Sequence, residues 1–326
     1  MVILLKIIFM ILTLAFLYFS VGVEKPIATL LSMSIETIVF SLIAFAFMEA
    51  IIAKRFSLIV QSFGFDLKLL VCFNLIIGSH FFNQTLPSSI SGDIFKGLYL
   101  LKISQLSLIK AVSAVFFDKL FGFTALVLII VLSLSFIGFN FDNQYSPLLR
   151  QVEGLNIPNI FLICAFILIL FMSIIRHYWR SGELRRYILS KANALTKNKS
   201  KALRDAYPNL KKKFPHIITL SIGAQLFPIM IVYVSAVQID PSIDLLTISS
   251  IVPLVIIASS LPISIGGWGV REASFAALFA LHGLPADLGL SCGLLLGLVN
   301  FTAGLAGGVV LIFVLKYKSI FGDSSQ

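Results

Sequence analysis

Charged side chains are scarce in this sequence. Aspartate, glutamate, lysine and arginine make up 12% of its 326 residues, and the mean hydropathy is +1.01. A soluble domain carries roughly twice that charged fraction. Uncharged runs, for example at 123–139 and 161–175, reach or approach the length that crosses the hydrocarbon of a bilayer. The composition excludes a soluble globular protein and predicts an all-α, polytopic membrane protein.

Cysteine and histidine are also few. The three cysteines, Cys72, Cys164 and Cys292, lie in apolar segments without a CxxC pair, and the four histidines are scattered without metal-ligand spacing. Neither pattern is typical of a disulfide framework or a zinc site. No nucleophile–base–acid set, Walker loop or paired-histidine motif occurs. The sequence therefore predicts no metal and no cofactor, and it favours a protein that is not an enzyme.

The net charge of +10 is concentrated in one region. Between Arg176 and Lys213 a dense run of lysines and arginines is opposed only by Glu183 and Asp205. A basic loop between two spans is typical of the cytoplasmic side of a membrane protein. We therefore expect a cytoplasmic loop at 177–213, no nucleic-acid partner, and a multi-pass protein of the cell (inner or plasma) membrane with both termini in the cytoplasm.

The hydropathy pattern predicts a single transmembrane domain over 1–326, with roughly eight spans. Short helical pieces are expected near 93–104 and 269–283, and Lys54 and Arg55 are interpreted as the cytoplasmic end of the second span. Glu49 is expected near an interface. The candidate spans are approximately 2–22, 34–53, 67–85, 108–138, 157–176, 215–238, 245–261 and 287–316.

One motif occurs twice. Residues 86–99 read LPSSISGDIFKGLY and residues 261–274 read LPISIGGWGVREAS, with Lys96 aligned to Arg271. Both copies interrupt apolar stretches, which predicts two broken or re-entrant segments. Counting the membrane crossings along the chain predicts that the two copies enter the membrane from opposite faces. This is typical of an inverted repeat, here with halves at approximately 1–156 and 157–326. Interrupted segments at matching positions of such repeats point to the binding site; chance recurrence is the alternative.

Both copies contain residues that end one helix and begin another. Proline removes a backbone donor, and glycine permits backbone angles that other residues resist. The new helix exposes unpaired amides and the positive end of its dipole, which suits an anion. The residues assigned to the helix breaks are Pro87, Gly92, Pro262, Gly266, Gly267 and Gly269.

We expect an anionic headgroup to bind between the two breaks. Lys96 and Arg271 would contact its phosphate, while Asp93 and Glu272 would cap helices and orient the cations. A compatible alternative is mutual pairing across the repeat, Asp93 with Arg271 and Glu272 with Lys96. The other residues expected to line the pocket are Asn83, Gln84, Ser89 and Ser264, and a supporting ion pair is expected from Asp118 and Lys119, which would pair locally or reach the breaks.

Three stretches resemble a known family. They are NQTLPSSISGDIFKGLYLLK, AVFFDKLFGF and SLPISIGGWGVREASF, and they are similar to motifs of the lysylphosphatidylglycerol synthase transmembrane region, also called the flippase-like family. The third is the most specific, because it matches the family's P-x-S-x-GG-x-G-x-RE. The sequence departs from the family with Lys96 where arginine is usual and with Asp118–Lys119 where Glu-Arg is usual, and lysine lacks the bidentate geometry of arginine.

The resemblance implies a bundle that handles phospholipids, polyprenyl-linked lipids or similar amphiphiles. Two-part members carry a C-terminal domain that transfers an aminoacyl group to phosphatidylglycerol, and we expect no such domain here. The resulting prediction is a flippase-like protein that binds and translocates an anionic lipid or lipid-linked substrate. The alternatives are an accessory subunit of a separate lipid- or glycan-modifying enzyme, and a secondary transporter of a small organic anion.

Overall fold

The computed structural model describes residues 24–86, 91–104, 107–139, 199–261 and 264–321, together with positions 11, 13, 15, 18, 19, 21 and 22. Within these ranges the chain forms helices joined by short turns. The helices are α1 (Glu24–Leu31), α2 (Ile35–Ser62), α3 (Leu69–Thr85), α4 (Ser91–Ser104), α5 (Leu108–Phe139), α6 (Lys199–Ile239), α7 (Leu245–Ser260), α8 (Val270–Leu281) and α9 (Ala286–Phe321). The predicted short helices after the two motifs are α4 and α8.

Four helices are long and apolar enough to cross a membrane. Their spanning portions are Ile35–Ser62, Leu108–Ser133, Pro208–Ile239 and Ala286–Ile312, and α7 is a shorter apolar helix. This confirms a helical membrane protein. The number of eight spans stays a prediction, because the candidate span at 157–176 and most of that at 2–22 lie outside the described residues.

Two expected boundaries are wrong. The second span does not end before Lys54, because α2 continues to Ser62 and the chain turns only at Gly64, whose φ is 89°. Arg55 is therefore inside a helix. The basic segment 199–213 is not a loop, since it forms the beginning of α6. Its alanines, leucines and lysines are strong helix formers, and the helix continues through Pro208 and Pro215. Residues 177–198 lie outside the described part.

The helices form two runs with the same order of lengths, in which a long helix is followed by two shorter ones and another long one. The first run is α2–α5 and the second is α6–α9. Their first members, α2 and α6, pack antiparallel. Thr37 at the start of α2 donates to Gln238 near the end of α6 at 2.8 Å. At the opposite end of the pair, Gln61 contacts Lys213.

The second helix of each run packs against the last helix of the other run, α3 on α9 and α7 on α5. The backbones of α3 and α9 come very close. A Cβ added at Gly307 would overlap the carbonyl oxygen of Ile77 and lie 2.8 Å from its carbonyl carbon. A Cβ at Gly304 would lie 3.1 Å from Cγ of Gln84. Small residues that allow close backbone approach are typical of helix contacts in membranes.

Replacing Gly307 with alanine is expected to loosen the α3–α9 contact. Because the clash is with backbone, the helices must separate, and we expect a loss of about 1–3 kcal/mol. Gly223→Ala in α6 is the matched control, since a Cβ there meets nothing within 4 Å. The readout is the temperature at which each detergent-solubilised variant loses its monodisperse elution peak. Equal melting of the two variants would contradict the described packing.

Candidate functional site

Five charged side chains from three helices form a chain of ion pairs, here called the Lys96 cluster. Lys119 Nζ lies 2.7 Å from one carboxylate oxygen of Asp93, whose other oxygen is 3.0 Å from Lys96 Nζ. Lys96 Nζ is 3.3 Å from Oδ2 of Asp118. Oδ1 of Asp118 accepts hydrogen bonds from Nη2 and Nε of Arg55 at 2.7 and 2.9 Å. The cluster therefore alternates positive and negative groups, from α5 to α4, back to α5 and then to α2.

The Lys96 cluster carries three cations and two carboxylates. The side chains of Arg55, Lys96 and Asp118 are 6%, 8% and 4% exposed, whereas Lys119 is 50% exposed. Unpaired charges are costly within a membrane-spanning bundle, and each buried charge here has an opposite partner. One positive charge remains in excess. The cluster thus extends from a buried ion pair to the surface of the bundle.

The beginning of α4 is fixed by residues of α3. Oδ1 of Asn83 accepts a hydrogen bond from the amide of Gly92 at 2.8 Å, and Ser91 Oγ donates to the carbonyl of Phe82 at 2.8 Å. A Cβ at Gly92 would overlap the carbonyl oxygen of Ser79, so only glycine fits. The capping role expected of Asp93 is taken here by Asn83. The predicted break residue Pro87 and pocket residue Ser89 lie outside the described residues.

The second motif forms a separate group, the Arg271 cluster, which consists of Arg271, Glu272 and Trp268. Glu272 is fully buried. Its Oε2 accepts a hydrogen bond from the amide of Gly269 at 2.6 Å, and its Oε1 lies 2.6 Å from Nη2 of Arg271. Arg271 Nε also donates to the carbonyl of Gly293 at 3.1 Å, and the guanidinium lies over Trp268. Glu272 thus caps α8 and orients Arg271, so this helix N-terminus already holds an anion.

Glycine is required around the Arg271 cluster. Gly266, Gly267 and Gly269 have φ values of 59°, 79° and 82°, in the left-handed region that other residues rarely adopt. A Cβ at Gly297 of α9 would lie 3.0 Å from Cζ of Arg271. The neighbouring Ser264 is buried, and its hydroxyl has no hydrogen-bond partner among the described residues. Pro262 lies outside them.

Gln84 joins the two breaks. It follows Asn83 at the end of α3, and its Oε1 accepts a hydrogen bond from Nε1 of Trp268 at 3.3 Å. A Cβ added at Gly266 would overlap the same oxygen. The alternative of mutual pairing between the copies is wrong for the described structure, because Asp93 and Glu272 each pair with a cation close by in sequence. The end of α3 therefore contacts the second break through an amide side chain, while the charges of the two motifs belong to two clusters.

Sequence reasoning missed Arg55. For Asp118 and Lys119 it left two alternatives, and the structure shows the second, in which both side chains reach residues of the first motif. These adjacent residues do not pair with each other; Asp118 binds Arg55 and Lys96, and Lys119 binds Asp93. The lack of a helix breaker between Ser34 and Gly64 was the available signal, since it places Arg55 inside α2. Among the described residues, no three His, Cys, Asp or Glu side chains are close enough to hold a metal ion.

A comparison with protein families matches residues 3–308 to the lysylphosphatidylglycerol synthase TM region. The chain belongs to this family. A search among curated proteins finds no match. The family match includes both clusters and all helices from α1 into α9, and membership makes the chain an integral membrane region related to lipid modification or transport.

Replacing Arg55 with methionine is expected to destabilise this family member strongly. The change leaves the buried Asp118 with Lys96 as its remaining ion-pair partner, and removal of one partner of a buried pair costs about 3–5 kcal/mol. Lys54→Met is the matched control, because Lys54 is adjacent in sequence but exposed, and we expect it to change stability by no more than about 0.5 kcal/mol. Thermal unfolding in detergent measures both. Similar stability of the two variants would contradict the buried position of Arg55.

Proposed function

We propose that this protein is a flippase-like membrane protein that binds the headgroup of an anionic lipid or lipid-linked substrate and moves it across the bilayer. The observation that carries the proposal is the Lys96 cluster. It provides a chain of three cations, linked by two carboxylates, from the surface of the bundle to its interior, in a family related to lipid modification or transport. Phosphate oxygens pair with such cations as carboxylates do.

The surroundings of Lys119 support entry from the lipid phase. Lys119 lies on an exposed strip of α5 with Val112, Phe116 and Phe123, which are 56%, 49% and 37% exposed. A half-exposed cation beside apolar side chains is well placed to receive a headgroup whose acyl chains stay in contact with those side chains. In the described structure the carboxylate of Asp93 forms an ion pair with Lys119. An incoming phosphate would exchange with this carboxylate.

The charge balance supports binding of one anion. With three cations and two carboxylates, the Lys96 cluster carries one excess positive charge, and a bound anionic headgroup would neutralise it. The Arg271 cluster has one cation and one carboxylate, and Nε and Nη2 of the guanidinium both donate to Glu272, with Nε also donating to the carbonyl of Gly293. We therefore assign headgroup binding to Lys96 and Lys119, and we assign to Arg271 the positioning of the second break.

The helix arrangement supports two halves related by inversion, approximately 1–156 and 157–326. The first helices of the two runs, α2 and α6, are antiparallel. In addition, the second helix of each run packs against the last helix of the other run, α3 on α9 and α7 on α5. Inverted repeats can alternate access by rocking one half against the other around a fixed site. We propose this movement here, in a plasma membrane protein with cytoplasmic termini.

Lys119→Gln is expected to slow transbilayer movement of anionic lipid. Loss of a charge-assisted hydrogen bond costs about 1.5–3 kcal/mol, which corresponds to a rate decrease of roughly 10- to 100-fold. The measurement uses proteoliposomes with fluorescent phosphatidylglycerol or phosphatidylcholine and records the label that dithionite bleaches with time. Lys102→Gln is the matched control, since Lys102 is an exposed lysine of α4 outside the Lys96 cluster.

Movement of phosphatidylglycerol that depends on Lys119 and not on Lys102 would support the proposal. Absence of lipid movement by the folded wild-type protein would contradict it. Equal movement of phosphatidylcholine would contradict selection by the cationic path.

A further inference from the structure

A second titratable pair lies at the contact between α2 and α3. Glu49 is fully buried, and its Oε1 lies 3.0 Å from Nε2 of His80. The other oxygen, Oε2, is buried without a hydrogen-bond partner among the described residues. His80 is 20% exposed, and its ring contacts that of Phe45 at 5.6 Å. The family motifs do not include this pair, and the Lys96 cluster does not contact it directly.

The net charge of this pair depends on a single proton. A glutamate carboxylate beside a neutral imidazole carries one negative charge. One added proton makes the pair neutral overall, either as an ion pair or as an acid beside a neutral ring. Burial disfavours net charge, so the surroundings favour the state that holds the proton. A buried acid–imidazole pair with access to the surface through one partner is a site that can load and release a proton.

Few other charges face the pair. The elements packed on α2 and α3 are α4, α5, α6 and α9. Between Ile217 and Ile239 of α6 the only titratable residue is Tyr233, and between Leu288 and Leu315 of α9 it is Cys292. The charged groups of α4 and α5 near this level, together with Arg55 of α2, belong to the Lys96 cluster, and Lys96 itself acts electrostatically on His80.

This arrangement links proton binding to headgroup binding. Burial and the Glu49 carboxylate have the larger effects on a proton at His80, and the positive charge of Lys96, the smallest of these effects, opposes that proton. An anionic headgroup at Lys96 would offset that charge and favour proton uptake, and the linkage is reciprocal. His80 also lies one helical turn before Gln84, the residue that joins the two breaks. Proton binding by Glu49 and His80 therefore takes place one helical turn from the contact between Gln84 and Trp268, which a rocking movement of the two halves would have to alter.

We propose that Glu49 and His80 form a proton-binding site that couples movement of a proton to movement of the anionic lipid. One proton adds to the Glu49–His80 pair in the loaded state and leaves it in the other, without any redox change. The proposal rests on the proposed lipid movement, since coupling requires a transported substrate.

The test imposes a pH gradient of one unit on proteoliposomes that contain fluorescent phosphatidylglycerol, with the membrane potential clamped. With one proton moved per lipid, the gradient should shift the transbilayer ratio of the lipid by up to about tenfold. Glu49→Gln should still move lipid but should lose the response to the gradient. Glu36→Gln is the matched control, an exposed carboxylate at the start of the same helix. His80→Gln tests the same site if Glu49→Gln does not fold.

The outcomes separate the two proposals. A gradient response that Glu49→Gln or His80→Gln abolishes and Glu36→Gln retains would support the proton site. Lipid movement that ignores the pH gradient, or that follows a sodium gradient instead, would overturn the proton site and leave the proposed function standing. Absence of lipid movement by the wild-type protein would overturn both. A direct check is proton uptake by purified protein on addition of short-chain phosphatidylglycerol, which should fall to background in Glu49→Gln.

Discussion

The structure depends on the requirement that charge inside a membrane protein be paired with opposite charge. Arg55 lies in the interior of a membrane-spanning helix because the carboxylate of Asp118 receives it, and Lys96 and Asp93 extend the same chain of ion pairs. Each member would be costly alone at that depth. The ion pairs therefore join α2, α4 and α5, and they set where the first broken segment can lie.

The two copies of the motif differ in how they cap the new helix and in how they pair its cation. In the second copy Glu272 satisfies both the amide at the start of α8 and the guanidinium of Arg271, which leaves a neutral and closed arrangement. In the first copy an amide side chain caps the helix, and the carboxylate of Asp93 is free to bridge two lysines. For this reason we propose the first copy as the place where one anion exchanges for another, since its charges extend to the surface through Lys119.

Much of the fold and part of the site could be predicted from the sequence. The short helices after each motif follow from proline and glycine at the interruptions, and the membrane class follows from apolar length. The contact between Gln84 and Trp268 could not be predicted from the sequence, since it depends on how closely α3 and α9 pack. The expected ion pairs of Asp93 with Arg271 and of Glu272 with Lys96 are not formed. Asp93 pairs with Lys96 one turn away and Glu272 with the adjacent Arg271, because a nearby cation competes with a distant one.

The sequence by itself determined the class of protein, the family, the two helix breaks and the residue types that surround them. These features are local, since they depend on hydropathy, on proline and glycine, and on a short motif. The tertiary structure decided which charges pair, that Arg55 is buried rather than at an interface, and that Glu49 faces His80. Those outcomes depend on the register with which distant helices pack, and a one-turn shift of either partner would change every pair while leaving the hydropathy pattern unaltered.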